Sequence, residues 1–189
     1  MGGGIEVAKV YVFLADGFEE MEALIPVDLL RRLEHQVCLV SVSERRTVQG
    51  SHGIRVETEA RMETADLEDG DLYILPGGLP GTHRLAENKK LEKLLLRKAE
   101  EGKHLAAICA APGIFGKLGL LQGKRAVCAA GREDTLLGAQ ALDLPTVTDG
   151  KITTAKGAGT SIDFGLELIR VLDGEEKAAE MKKKIAYLH

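Results

Sequence analysis

Tryptophan is absent from the 189 residues, and only four Phe and three Tyr supply aromatic rings, so the core must be largely aliphatic. No apolar run approaches the ~18 residues that a membrane span needs. Met1-Gly2-Gly3-Gly4 lacks the basic and apolar regions of a signal peptide, so a cytoplasmic chain is expected. A net charge of −4 and a pI near 5.8, without any basic stripe, give no electrostatic reason to expect nucleic acid. Three cysteines, an odd number without paired spacing, argue against a disulfide framework and against a CxxC zinc site. Repeats, low-complexity tracts and linkers are also missing. One domain over residues 1–189 is expected, with residues 1–7 as a flexible N-terminus.

What is present centres on Cys109. The apolar, strand-type run His104-Leu105-Ala106-Ala107-Ile108 ends in this cysteine, and Ala110, Ala111 and Pro112 follow it. A nucleophile elbow is built this way: a buried strand turns sharply into a helix, and the residue at the turn is strained with its side chain exposed. A thiol so placed at a helix N-terminus is expected to have a pKa below the free value of about 8.5. Taken alone, the stretch fits a buried core cysteine equally well. Cys38 and Cys128 lie inside apolar strand-like runs and read as core.

Lys9–Ala15 is a β-branched and aromatic run, the mark of a strand buried on both faces. Apolar residues from Phe18 to Glu34 recur at helical spacing, with Glu19, Glu20 and Glu22 in the first turn, where the macrodipole favours anions. At least two of these three acids are expected to be solvated. Pro26 should kink this helix or mark an altered start. Val37–Val42 is a second strand, and Thr47–Glu59 suits a hairpin or edge strand. Asp71–Leu75 is another buried strand, running into Pro76-Gly77-Gly78. Leu85–Gly102 reads as one amphipathic helix, Ala111–Leu118 as the helix after the elbow, and Arg125–Ala129 as a strand. Val147–Thr154 is a hairpin on Asp149-Gly150. Gly157-Ala158-Gly159-Thr160-Ser161 lacks the Lys-Ser/Thr ending of a phosphate loop, so tight packing is expected there instead of nucleotide binding. A helix from near Thr160 to Gly174 and another over Glu175–Tyr187 close the chain. Alternating strands and helices predict a flavodoxin-like, doubly wound α/β sandwich.

In such a sheet, functional groups gather beyond the carboxyl ends of the strands. Glu19–Glu22, Gly77-Gly78 and Cys109 all lie at such ends, and their convergence favours a reactive thiol over a core one. The amides of Gly77, Gly78 and Ala110 are candidates for an oxyanion hole, and Glu22 is the candidate acid.

Five separated motifs now stand in order: Leu14–Glu22, Ile25-Pro26-Val27-Asp28, Leu75-Pro76-Gly77-Gly78, Ala106–Pro112 and Gly157–Ser161. Together they resemble the ThiJ/PfpI family over about Lys9 to Ala179, in the branch of the parkinsonism-associated deglycase and its YajL-like bacterial relatives. The resemblance implies a class I glutamine-amidotransferase-like fold, a homodimer, and a cysteine that reacts with dicarbonyls and oxidises readily to a sulfinic acid. By position, Cys109 matches the nucleophile, Glu22 the acid that stays protonated against the thiolate, and Gly78 and Ala110 the oxyanion-hole amides. Arg32 matches an arginine near the dimer interface. His52 stands where a partner-subunit arginine often approaches, which would make anion contact there pH-dependent. Protease and amidotransferase relatives place a histidine after the nucleophile or later in a triad. Here that position is Ala110, and Val127–Gly131 holds no histidine. His35, His83, His104 and His189 read as surface or packing residues.

The implied activity is a cofactor-independent glyoxalase or deglycase of glyoxalase III type, which converts methylglyoxal, glyoxal or early glycation adducts to 2-hydroxy acids. The alternatives are an oxidation-sensing stress protein or chaperone using Cys109, and, ranked lower, a peptidase or amidase. No metal, nucleotide or thiol cofactor is implied.

Overall fold

The computed structural model of the chain describes residues 7–188, so nearly all of the expected flexible terminus, and His189, lie outside the described residues. In chain order the elements are β1 (Lys9–Leu14), α1 (Glu20–Arg31), β2 (Gln36–Ser41), β3 (Thr47–Gln49), β4 (Arg55–Glu57), β5 (Ala60–Arg61) and β6 (Leu72–Leu75). Then come α2 (Gly81–Glu87), α3 (Lys89–Glu100), β7 (His104–Ile108), α4 (Pro112–Lys117), β8 (Arg125–Ala126) and β9 (Gln140–Ala141). The hairpin β10 (Thr146–Asp149) and β11 (Ile152–Ala155) precedes α5 (Ser161–Asp173) and α6 (Glu175–Lys184). The main sheet has the order β10-β11-β7-β6-β1-β2-β5, parallel throughout except for the edge strand β10. This is the flavodoxin-like α/β sandwich that the strand pattern predicts.

Side-chain alternation along each strand divides the core in two. Val10, Val12 and Leu14 of β1 join Leu72, Ile74, Ala106 and Ile108 on the face covered by α1, α5 and α6. Tyr11, Phe13, Tyr73, Leu75, Leu105 and Ala107 point to the other face, covered by α2, α3 and α4. Each fully buried Leu or Phe contributes about 1.5–3 kcal/mol, so a strand buried on both faces is among the most stable parts of the molecule. Helix α1 meets α5 closely at Gly165, where a Cβ would stand 2.5 Å from Leu29 Cδ1 and 3.3 Å from Pro26 Cα.

Three local expectations change, and one of the two readings of Pro26 is removed: α1 begins at Glu20 and includes Pro26, so the proline does not mark an altered start. The single helix expected over Leu85–Gly102 is two, divided at Asn88, whose carboxamide oxygen accepts from the amides of Lys90 and Leu91 at 3.1 and 3.0 Å. Ordered strand pairing at Arg125–Ala129 is limited to β8, which pairs with β9 outside the main sheet. Of the three acids, Glu20 and Glu22 are buried and Glu19 is half-buried with its carboxylate capping α1, so none is a freely solvated side chain.

Strand order reverses between β1 and β6, and α1 leaves from one side of that switch point. The carboxyl ends of β1, β6 and β7 therefore open onto one crevice.

Candidate active site

Cys109 follows β7 directly and holds φ at +66°, a left-handed conformation that costs a non-glycine residue about 1–3 kcal/mol. Two backbone bonds hold it there: its amide donates to Ala155 O at 2.9 Å, and its carbonyl accepts from Ala129 N at 2.8 Å. The elbow expected from sequence is thus present in the backbone, with a half-buried thiol.

Glu22 reaches the thiol from the first turn of α1. Its carboxyl group is 1% exposed and hydrogen-bonds Cys109 Sγ, and Oε2 accepts from Gly77 N at 2.9 Å. The Ala158 amide supplies a further donor, so the Gly-rich turn before α5 belongs to this site. Only glycine fits at position 77, where a Cβ would stand 2.5 Å from Glu22 Oε2 and 2.7 Å from Cys109 Cβ. At Gly157 a Cβ would lie 3.9 Å from Glu22 Oε1 and 4.0 Å from Cys109 Sγ.

The amides of Gly78 and Ala110 both face the Cys109 sulfur. The Gly77 amide is committed to Glu22, which removes it from the candidate oxyanion hole and leaves two donors. Burial pushes the Glu22 carboxyl up to about 7, and nearby Glu19 adds to the rise, whereas the bonds from Cys109, Gly77 and Ala158 oppose it. Burial also pushes the Cys109 thiol up to about 12, reinforced by the charge and hydrogen bond of Glu22 and opposed by the Ala110 and Gly78 amides. The lowered thiol pKa expected from a helix N-terminus is not realised, because desolvation and the adjacent carboxylate outweigh two amide dipoles. Protonating Glu22 removes that repulsion and makes the carboxyl a donor to sulfur. The two groups therefore titrate as a pair.

His52 lies one step outside this centre. Its Nδ1 stands 3.0 Å from Glu20 Oε2 and 3.8 Å from Glu19 Oε1, and Glu20 also accepts from the amides of His52 and Ile54 and from Ser51 Oγ. Glu19, Glu20 and His52 bring three ligand-type atoms within 4.8 Å of one another, but the Glu20 carboxylate is already occupied in latching the β3–β4 hairpin to α1. Arg32 stands at the far end of α1, paired with Asp28 at 2.7 Å. Ten residues of helix separate it from Glu22, a distance of about 15 Å. Among the other histidines, His35 and His104 are buried and His83 is exposed.

A buried strand, a strained cysteine at its carboxyl end and a carboxyl group held against the sulfur define the class: an α/β protein built around a nucleophile elbow. The DJ-1/PfpI family model matches residues 8–171, and the chain belongs to that family. DJ-1 homolog B of Arabidopsis thaliana is 39% identical over 177 residues, covering 92% of this chain and 40% of that protein, so the chain spans less than half of that relative. A deglycase of Thermococcus kodakarensis is 29% identical over 167 residues, 87% of this chain and 99% of that one. The solved structure of oxidized Toxoplasma gondii DJ-1 superposes with a TM-score of 0.93 at 32% identity, covering 97% of this chain and all of the other. Among the described residues, no helix is long and apolar enough to cross a membrane.

Proposed function

We propose that the chain is a cysteine-dependent glyoxalase or deglycase of cytoplasmic reactive carbonyls, acting as a homodimer without a cofactor. The observation that carries this reading is the Glu22 carboxyl hydrogen-bonded to the sulfur of a strained cysteine. With methylglyoxal, Cys109 Sγ bonds to the aldehyde carbon while the thiol proton passes through Glu22 to the carbonyl oxygen, giving a hemithioacetal. The developing oxyanion is met by the Gly78 and Ala110 amides. Glu22 then moves a proton from the former aldehyde carbon to the neighbouring ketone carbon through an enediol, while the hydroxyl proton of the hemithioacetal passes to the ketone oxygen, leaving a lactoyl thioester. Water cleaves that ester, so methylglyoxal and one water become lactic acid and the free thiol returns. In a glycated amine or thiol the former aldehyde carbon already carries the parent group, so Cys109 Sγ replaces it there: the bond to the parent amine or thiol breaks, that group leaves with the thiol proton, and the same hemithioacetal results. Among the described residues no histidine hydrogen-bonds Cys109 to protonate a leaving amine, which disfavours peptidase chemistry. Arg32 and His52 enter as anion contacts only through the dimer, because neither reaches Cys109 within one protomer.

A second reading, peroxide sensing or a stress-chaperone role, draws on the same geometry. A carboxylic acid and two amides around sulfur would stabilise a sulfinate, and the related Toxoplasma gondii structure is of an oxidized protein. Purified protein is expected to release lactate from methylglyoxal, and Cys109→Ser is expected to release none. Full activity in Cys109→Ser would overturn the proposal. A wild type that forms no lactate but gains two oxygens on Cys109 in mild peroxide would leave the sensor as the better reading.

A further inference from the structure

A cavity of about 710 Å³ lies beside the β3–β4 hairpin, lined by three arginines, Arg45, Arg55 and Arg84, and by one acid, Asp16. Three guanidiniums against one carboxylate form a local positive excess on a chain whose net charge is −4. The carboxylate is used up: Arg45 holds Asp16 Oδ2 at 2.6 Å, and the Gln49 amide holds Oδ1 at 2.9 Å. Arg84 donates to the uncharged carbonyl oxygen of Asp16 at 2.6 Å, so its own charge is not neutralised. The Arg55 guanidinium, exposed on β4, has neither a hydrogen bond nor an ion pair among the described residues. Two guanidiniums thus border one cavity without a counter-charge. Their planar forks match phosphate oxygens, and two of them balance a dianion. The volume suits a small molecule.

We infer that this cavity binds a phosphate dianion, free or as the monoester of a small molecule, through Arg55 and Arg84, with Arg45 holding Asp16 out of the way. Cys109 and Glu22 do not line it, so the site stands whether or not the proposed carbonyl chemistry does. Titration calorimetry of the purified chain with ribose 5-phosphate, inorganic phosphate and ribose provides the test. Saturable one-to-one binding of one or both phosphates is expected, with none of ribose. The ester binding more tightly assigns the site to a phosphorylated small molecule, and equal or tighter binding of the inorganic ion assigns it to the free anion. The double substitution Arg55→Gln and Arg84→Gln should weaken binding at least tenfold. Arg97→Gln, which removes a guanidinium paired elsewhere with Glu68, should leave it unchanged. Arg55→Gln alone removes an exposed side chain with no partner, and it carries the test if the double variant melts early. Absence of saturable binding, or equal weakening by Arg97→Gln, would overturn the inference.

Discussion

At the carboxyl ends of the strands Glu22 is buried at 1% exposure, and at the amino ends His104 is buried at 4%. Desolvation drives each toward its neutral form, raising Glu22 to about 7 and lowering His104 to about 4. Their surroundings differ. His104 Nε2 meets Thr153 Oγ1 at 2.8 Å, and the chain continues through Thr148 Oγ1, also at 2.8 Å, to Glu167 and Arg170. Hydroxyls can only relay or absorb such a bond, and the backbone there is regular strand. Glu22 instead touches the half-buried thiol of a strained residue. A displaced titration is common to both ends. What distinguishes the site is the group that the displaced acid contacts.

The largest effect expected from breaking this contrast is on turnover. Glu22→Gln keeps the shape but cannot carry the proton, and kcat/KM for methylglyoxal should fall about 10²–10⁴-fold. His104→Leu should stay within about twofold of wild type, because its hydrogen bonds lead away from the crevice. Steady-state lactate assays on both variants measure the difference.

Stability against pH sharpens the same comparison. Glu22 holds its proton more tightly when folded, so the stability it confers is complete below about 4.5 and is lost as pH rises through about 7. His104 is held neutral, so its contribution is complete above about 6.5 and is lost as pH falls toward 4. Each displacement corresponds to about 3 kcal/mol, and in the wild type they oppose each other between pH 4.5 and 6.5. Urea denaturation should therefore find Glu22→Gln gaining stability with rising pH across this window and His104→Leu losing it. Parallel curves for the two variants would contradict the assignment.

Smaller effects come from the glycines that frame the acid. Gly77→Ala places a methyl group against Glu22 and Cys109, and should cost about 1–3 kcal/mol in denaturation together with most of the activity. Gly157→Ala meets only ordinary contacts on extended backbone, so its melting temperature should be unchanged and its kcat/KM within about fivefold of wild type.

Much of this was readable in the residues. Continuous apolar runs such as Val10–Leu14 can be buried only between two helical layers, and the motifs at three strand ends located the crevice. The elbow at Cys109 followed from small residues packed around a strand end. The break at Asn88 was hidden because apolar spacing continues across it, although an Asn before Lys89-Lys90-Leu91 is a cap signal. The burial of Glu20 depends on a hairpin about 30 residues later, which no local pattern reveals. Likewise, the engagement of the Gly77 amide with Glu22 is a contact across 55 residues, invisible to spacing.

The central claim is that Cys109 and Glu22 titrate as one pair: the first proton leaves near pH 7, and the one that remains lies between sulfur and a carboxylate that can take it as the sulfur attacks. Alkylation of Cys109 by iodoacetamide, followed by intact mass from pH 5 to 10 in wild type and Glu22→Gln, measures it directly. The rate should rise with a midpoint near 7 in the wild type and at least one unit higher in the variant. The same midpoint in both would contradict the account.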